Sequence, residues 1–406
     1  MVGKQTIKET SLERTTVLVR ADYNVPLSEG GAISDDFRIR ASLPTVRYLV
    51  SQGCRVVIVS HLGRPDGQRN DKYSLRSVAT RLSELLHQEV EFVEDCVGES
   101  VSSACSAMVP GDVMLLENLR FYPEEESNDL EFAKRIVQAT KARYFVQDGF
   151  GVVHRAHAST DAITKLLPSV SGLLLESELT NINKAIDNPK RPFYAVLGGA
   201  KVSDKIEVIQ SFVDKADRIF IGGAMANTFL KYKGYPVGVS KAEDGKDDVI
   251  RSIYEAAVSK VGQDKVDEFI TLPIDVAVSS SMAGLRRTVK LDQVSDEDMI
   301  LDIGDETIQL FASELANAKT IIWNGTLGIS EKLPFSHGSA RVALTMAANK
   351  GATTVIGGGD TVDFAIKWSD RDTSVFTHVS TGGGASLELM SGKELPGVVA
   401  LRDRSE

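Results

Sequence analysis

Short runs of β-branched and apolar residues recur from end to end of this chain, each followed by a stretch of helical periodicity. In the first half the runs occupy 17–20, 56–60, 90–93, 113–116 and 144–146; in the second, 193–197, 218–221, 320–323, 353–356 and 375–379. Between them lie amphipathic segments such as 75–87, opened by Ser74 as an N-cap, and 130–140. The runs are nearly continuous rather than alternating, which is the pattern of strands covered on both faces. Parallel strands buried in this way need crossover helices, so the pattern predicts a doubly wound α/β architecture.

A chain of 406 residues exceeds what one hydrophobic core usually supports, so two such sheets are expected. The seam falls at 172–192, where a helical stretch over 173–186 stops at Asn188-Pro189 and a new strand follows Pro192. The expected fold is two doubly wound parallel-sheet domains facing across a cleft and joined by a hinge helix. Their boundaries are 1–172, the helix 173–188, and 189–390, with a tail 391–406 packing back towards the first domain. The acidic stretches 242–248 and 295–298 read as solvated faces or loops.

A net charge of −10 argues against nucleic acid or an anionic membrane as partner. Cys54, Cys96 and Cys105 have no metal spacing and no neighbouring activator, and read as core filling. With no basic-then-apolar leader and no apolar run near the roughly 20 residues that span a bilayer, the expectation is a reduced, cytoplasmic protein.

An acidic protein that binds anions must concentrate its cations, and here they cluster after strands. The first half offers arginine and histidine: Arg20-Ala-Asp22-Tyr-Asn24, His61-Leu62-Gly63-Arg64, Asn118-Leu-Arg120 and His154-Arg155-Ala-His157. The second half offers glycine and lysine: Gly198 to Lys205, Gly222-Gly223-Ala224, Gly357-Gly358-Gly359-Asp360-Thr361 and Gly382-Gly383-Gly384. In doubly wound sheets ligands bind beyond the C-terminal strand ends, where all eight segments lie. Any one of them alone is better read as a polar turn or a capping glycine. Eight, sorted by chemistry between two halves, point to two phosphate-bearing ligands and hence to a phosphotransferase.

Converging arginines grip a small dianion bidentately, and Asp22 and Asn24 can read hydroxyls. In the second half, backbone amides and helix N-termini suit a polyphosphate. Lys201 and Lys205, four apart, are expected on one face of a helix's first turns, one reaching the migrating phosphoryl group and the other the nucleotide. Asp360 is the hard-oxygen candidate for a nucleotide-bound Mg²⁺. The P-loop, the G-x-G-x-x-G fingerprint and the protein-kinase signatures are all absent.

Taken in order with Glu117-Asn-Leu-Arg-Phe121, Trp323-Asn324-Gly325 and Ser380-Thr-Gly-Gly-Gly-Ala-Ser386, these segments resemble phosphoglycerate kinase over essentially the whole chain. The resemblance implies reversible transfer of the acyl phosphate of 1,3-bisphosphoglycerate to Mg-ADP, giving ATP and 3-phosphoglycerate, by a monomer that closes about its hinge. It implies a 3-phosphoglycerate site of Asp22, Asn24, Arg38, His61, Leu62, Gly63, Arg64, Arg120 and Arg155, completed by Arg20, His154 and His157. Lys205, Glu331 (on the ribose) and the turn Gly357, Gly358, Gly359, Asp360 and Thr361 would hold Mg-nucleotide, bordered by Asn324 and Gly223. Arg38, Lys201 and the amides of Gly382 and Gly383 would stabilise the phosphoryl group in flight. Two positions depart from the family pattern: Thr326 stands where Asn-Gly is usually followed by proline, and Asp305 where proline commonly follows Asp302-Ile-Gly304. A nicotinamide oxidoreductase lacks its fingerprint here. A two-domain binding protein would not need Lys201, Lys205 and Asp360 together.

Overall fold

The structure is a computed structural model describing residues 3–404. The chain forms two compact units, Met1–Thr180 with Glu394–Glu406, and Asn181–Lys393.

Among the described residues the first unit is built on six parallel strands in the order β3-β4-β2-β1-β5-β6. They are β1 (Thr16–Arg20), β2 (Arg55–Val59), β3 (Val90–Val93), β4 (Val113–Leu116), β5 (Tyr144–Gln147) and β6 (Ser169–Ser171). The apolar runs become buried strands because α1 (Phe37–Ser51) and α2 (Arg76–Leu86) pack on one face, and α3 (Glu99–Ala107) and α5 (Leu130–Thr140) on the other. Between the last two, α4 (Pro123–Glu126) is a single turn. On one side of β1 lie β2, β4 and then β3 at the edge; on the other lie β5 and β6. The strand order therefore reverses between β1 and β5, which opens a crevice at their C-terminal ends. The 15-residue α6 (Leu173–Asp187) starts in this unit and ends in the second.

The second unit repeats the scheme with β7 (Phe193–Leu197), β8 (Arg218–Ile221), β9 (Ile270–Thr271), β13 (Thr320–Asn324), β14 (Thr353–Gly357) and β15 (His378–Val379), in the order β15-β14-β13-β7-β8-β9. Here the order reverses between β7 and β13. The helices are α7 (Ile206–Lys215), α8 (Gly223–Tyr232), α9 (Asp247–Val261), α10 (Val266–Phe269), α11 (Asp305–Leu315), α12 (His337–Ala348), α13 (Gly359–Trp368) and α14 (Gly383–Met390). A separate antiparallel sheet of β10 (Asp275–Ser279), β11 (Arg287–Lys290) and β12 (Met299–Ile303) carries its own small core around Val276, Val278 and Leu230.

Two local expectations need correction. The run 375–379 yields only the two-residue β15, because Asp372 accepts the Ser374 N–H and turns 373–375 into a 3₁₀ helix. Ser74 lies one residue outside the N-cap of α2, although its hydroxyl accepts the Arg76 N–H at 3.3 Å. The stretch 242–248 is, as expected, a loop running into α9, and in it the Glu243 carboxylate accepts the Ser203 N–H at 3.0 Å and the Ser203 hydroxyl as well. No helix among the described residues is long and apolar enough to cross a membrane.

Candidate active site

At the first switch point, β1 ends in Arg20 and the chain turns through Asp22 and Asn24. Arg38, in the first turns of α1, donates to the Asp22 carboxylate (3.1 and 3.2 Å) and to the Asn24 carbonyl (3.0 Å). The Asn24 side chain accepts the Gly63 N–H at 2.8 Å, and the Gly63 carbonyl accepts Arg120 Nη1 at 2.8 Å. Asn118 holds the Leu62 carbonyl at 2.7 Å. The loops after β1, β2 and β4 are thereby locked into one surface.

Arg20 is fully buried, so its guanidinium meets no solvent. It donates Nε to Ser159 Oγ (2.7 Å), Nη1 to the Ala21 carbonyl, and Nη2 to His61 Nδ1 (3.2 Å). Burial works against this charge, and Glu125, then Asp22, favour it. Glu125, on α4 and also fully buried, accepts both the Ser159 hydroxyl (2.6 Å) and its N–H (3.1 Å). Burial lifts the Glu125 carboxyl above its ordinary range while Arg20 pulls it back. His61 and His157 are buried too. Burial, then the arginines around them, hold His61 well below the usual imidazole range and His157 down to about 4. Both histidines are therefore neutral at physiological pH. Arg155 is exposed and donates to His154 Nε2 at 3.2 Å; Arg64 is exposed as well.

At the second switch point the loops after β7 and β13 pass each other with no room for side chains. A Cβ on Gly198 would overlap the Thr326 carbonyl oxygen, and Gly325 sits at φ +100°. Lys205 is drawn beneath these loops, donating to the Gly198 carbonyl (2.8 Å), the Asn324 carbonyl (2.8 Å) and Asn324 Oδ1 (2.6 Å). Burial lowers its pKa to about 7, although Asp360 and then Asp204 act to raise it. Lys201 and Lys205 do not share a helix face. A turn closed by the Lys205 N–H on the Val202 carbonyl (2.9 Å) delays α7 to Ile206, leaving Lys201 exposed while Lys205 is buried.

Gly358 caps α13 and Gly382 caps α14, so both glycine turns present helix N-termini. The Thr361 hydroxyl holds the Gly325 N–H at 2.6 Å. Beside these turns lies a cavity of about 300 Å³ with an apolar wall from Val276, Ile300, Leu327 and Ile329, and with Gly223, Glu331 and Asp360 at its polar edge. A slot of this kind suits a flat base, with phosphates directed towards the glycine turns. Its wall also holds Asp302, whose buried carboxyl is pushed up to about 7 despite accepting N–H groups from Ile303 and Gly338. Asp305, where the family pattern has proline, opens α11 and pairs with Arg286 at 2.7 Å.

Residues 7–393 match the family model described as phosphoglycerate kinase. The phosphoglycerate kinase of Pelotomaculum thermopropionicum is 47% identical over 99% of this chain and all of its own. A chloroplastic one from Volvox carteri is 46% identical over 98% of this chain and 85% of its own. The chain belongs to the phosphoglycerate kinase family. Among solved structures, the phosphoglycerate kinase of Coxiella burnetii superimposes with a TM-score of 0.84 at 35% identity, and that of Pyrococcus horikoshii at 0.84 and 32%; each match covers 98% of both chains.

As a phosphoglycerate kinase, the chain is a phosphotransferase with a carboxyl group as acceptor, working in glycolysis. The first unit joins Asp22, Arg38, Asn24, Gly63 and Arg120 in one set of bonds and Arg20 and His61 in another, with His157 3.9 Å from Glu125. The second joins Lys205, Asn324 and Thr361 through the Asn324–Gly325 turn, and lines one cavity with Gly223, Glu331 and Asp360. Arg38 and Lys201 belong to different units. Sequence reasoning about this phosphoglycerate kinase missed Glu125, Ser159, Glu243 and Asp302. Glu125 sits in a run of three acidic residues, Glu124 to Glu126, that resembles a solvated helix start. Only its arginine-rich surroundings distinguish it.

Proposed function

We propose that the first unit binds 3-phosphoglycerate or 1,3-bisphosphoglycerate, that the second binds Mg-ADP or Mg-ATP, and that the acyl phosphate passes reversibly between them. The observation that carries this reading is the contrast between the two switch points. One is an arginine-rich cluster whose histidines are neutral; the other is a set of glycine turns with one buried lysine beside an apolar slot.

In this reading Arg38, Arg64, Arg120 and Arg155 hold the phosphate and carboxylate of the acid, with His154 and His157 completing the rim. Asp22 and Asn24 read its hydroxyl, and the Leu62-Gly63 turn fixes their spacing. Lys205 and the Gly357–Gly359 turn take the nucleotide phosphates, and Glu331 takes the ribose. Asp360 fits a magnesium ion that arrives with the nucleotide. It is an exposed carboxylate at the start of α13, and no group of three or more potential protein ligands occurs among the described residues, so nucleotide phosphates and water would complete the coordination. Held there, the ion would neutralise phosphate charge.

An acyl phosphate is already activated, so no strong base is required. Catalysis rests on in-line positioning, with Arg38, Lys201 and the amides of Gly382 and Gly383 facing the equatorial oxygens. Because the two ligands belong to different units, turnover requires closure about α6, triggered when both are bound. The protein acts as a monomer in the cytoplasm, where three buried free thiols fit a reducing compartment.

A coupled assay with 1,3-bisphosphoglycerate, ADP and Mg²⁺ should yield ATP, whereas binding of each ligand without ATP formation would make the chain a receptor. Small-angle scattering should show compaction only with both substrates present. Equal dimensions under turnover conditions would remove the closure step.

A further inference from the structure

His61 follows β2 and lies at the base of the arginine cluster, 3% exposed. Its Nδ1 faces Arg20 Nη2 at 3.2 Å. A guanidinium has five N–H donors and no acceptor, so in this contact Nδ1 can only accept and carries no proton. Arg20 is not free to turn away. Its Nε is spent on Ser159 Oγ at 2.7 Å and its Nη1 on the Ala21 carbonyl. Ser159 in turn donates its hydroxyl to Glu125 Oε1 at 2.6 Å and its N–H to Oε2 at 3.1 Å. Arg20, Ser159 and Glu125 are all fully buried, so every donor in the chain has a fixed direction.

We propose that the buried chain Glu125–Ser159–Arg20 fixes His61 in the tautomer with its single proton on Nε2, so that the ring meets a bound acid as a neutral hydrogen-bond donor. This rests on the assignment of the cluster to phosphoglycerate. The groups facing His61 are Arg20 from β1, Arg38 from α1, Arg120 from the loop after β4 and His157 from the loop after β5, all cationic or able to become so. A second proton on Nδ1 would also set donor against donor at Arg20. Among the described residues no protein group bonds Nε2, which leaves that N–H for an oxygen of the ligand. A carboxylate, phosphate or hydroxyl oxygen can accept it; an ammonium or amide N–H cannot. Glu125 and Ser159 are thus positioning residues, acting through Arg20 on the proton placement of a ring they do not touch.

The test is ¹⁵N–¹H NMR on the full chain labelled at its six histidines, with His61 assigned by loss of its signal in His61→Gln. The expected spectrum shows His61 protonated on Nε2 alone from pH 8 to about pH 6, with and without 3-phosphoglycerate, since burial and the arginines hold it well below the ordinary imidazole value. A signal from Nδ1–H, or from the doubly protonated ring at pH 7, would overturn the proposal.

Kinetics supply a second readout. A glutamine amide N–H reaches towards the Nε2 position and an asparagine amide only towards Nδ1. His61→Asn should therefore raise the phosphoglycerate KM roughly tenfold more than His61→Gln does. Ser159→Ala should mix the two tautomers and raise KM more than it lowers kcat, and Ser159→Thr should restore both. Equal KM values for the Gln and Asn variants would overturn the donor role. If neither His61→Asn nor Arg38→Ala moves the phosphoglycerate KM, the assignment of the cluster to that substrate fails. The spectrum would still decide the tautomer.

Discussion

Lys205 should make nucleotide affinity depend on pH in the alkaline range, because its ammonium is buried against three neutral oxygens, those of Gly198, Asn324 and the Asn324 amide. Burial brings its pKa from 10.5 to about 7, with Asp360 and Asp204 pulling the other way. A phosphate placed beside it restores the ordinary value, so binding takes up a proton. With the free lysine titrating near 7 and the bound one above 9, the apparent Kd scales as one plus ten to the power of pH minus 7. Between pH 7.5 and 8.5, where the phosphates of ADP are already ionised, Kd should rise about eightfold. At pH 8 about 0.9 of a proton should be taken up per ADP. Titration calorimetry of ADP without Mg²⁺, in two buffers of different ionisation enthalpy, measures both quantities, and Lys205→Met should abolish both. A pH-independent Kd with no buffer-dependent heat would refute the reasoning. The same lysine has a sign in stability. Its folded pKa lies below its unfolded one, so between about 7 and 10.5 the unfolded chain binds more protons. The penalty for burying the charge is therefore relieved as pH rises through that window.

Arg38→Ala and Lys201→Ala should each lower kcat by roughly 10²–10³ while leaving the ADP Kd within a few-fold, the effect of removing one charged donor from a developing phosphoryl charge. Lys201 is exposed, so its variant should melt unchanged, whereas Arg38→Ala takes the ion pair from the buried Asp22 carboxylate and should cost about 1–3 kcal/mol of stability; near-normal kcat in either variant would end its assigned role. Gly198→Ala should destabilise the protein by about 1–3 kcal/mol. The new methyl meets the backbone of the facing loop, overlapping the Thr326 carbonyl and lying 2.7 Å from that of Gly325, and an unchanged denaturation midpoint would show that the two loops can part. Cys54, Cys96 and Cys105 should resist a thiol reagent at pH 8 until the chain is unfolded. All three are buried and burial raises each pKa, that of Cys105 to about 11.

The candidate site could be picked out as a set because glycines, arginines and lysines gathered where strands end have few other uses. The turn Gly357–Gly359 reads as a phosphate loop on sequence alone, since three glycines in a row exceed what a helix cap needs. The sequence offers Lys205 as a nucleotide candidate but does not show that it is buried. Its burial depends on Asn324, 119 residues away, reaching the same point from another strand. β11 was illegible: Arg287–Lys290 is largely exposed and has no apolar run, and it becomes a strand only by pairing with β10. Ser74 shows the limit of capping rules, which locate a helix start to within a residue or two.

Local sequence by itself determined the two parallel sheets and the strand ends at which the cations and glycines cluster. Continuous β-branched runs can be satisfied only by cover on both faces, and turn residues must lie where those runs stop. Tertiary structure alone decided which ends become neighbours. A buried run reports that it is covered, not by what. The reversal of strand order between β1 and β5, and again between β7 and β13, is a choice of topology. That choice brings Glu125 and Ser159 under Arg20, and so turns an arginine at the end of a strand from a cation in solvent into a sealed donor that orients a histidine.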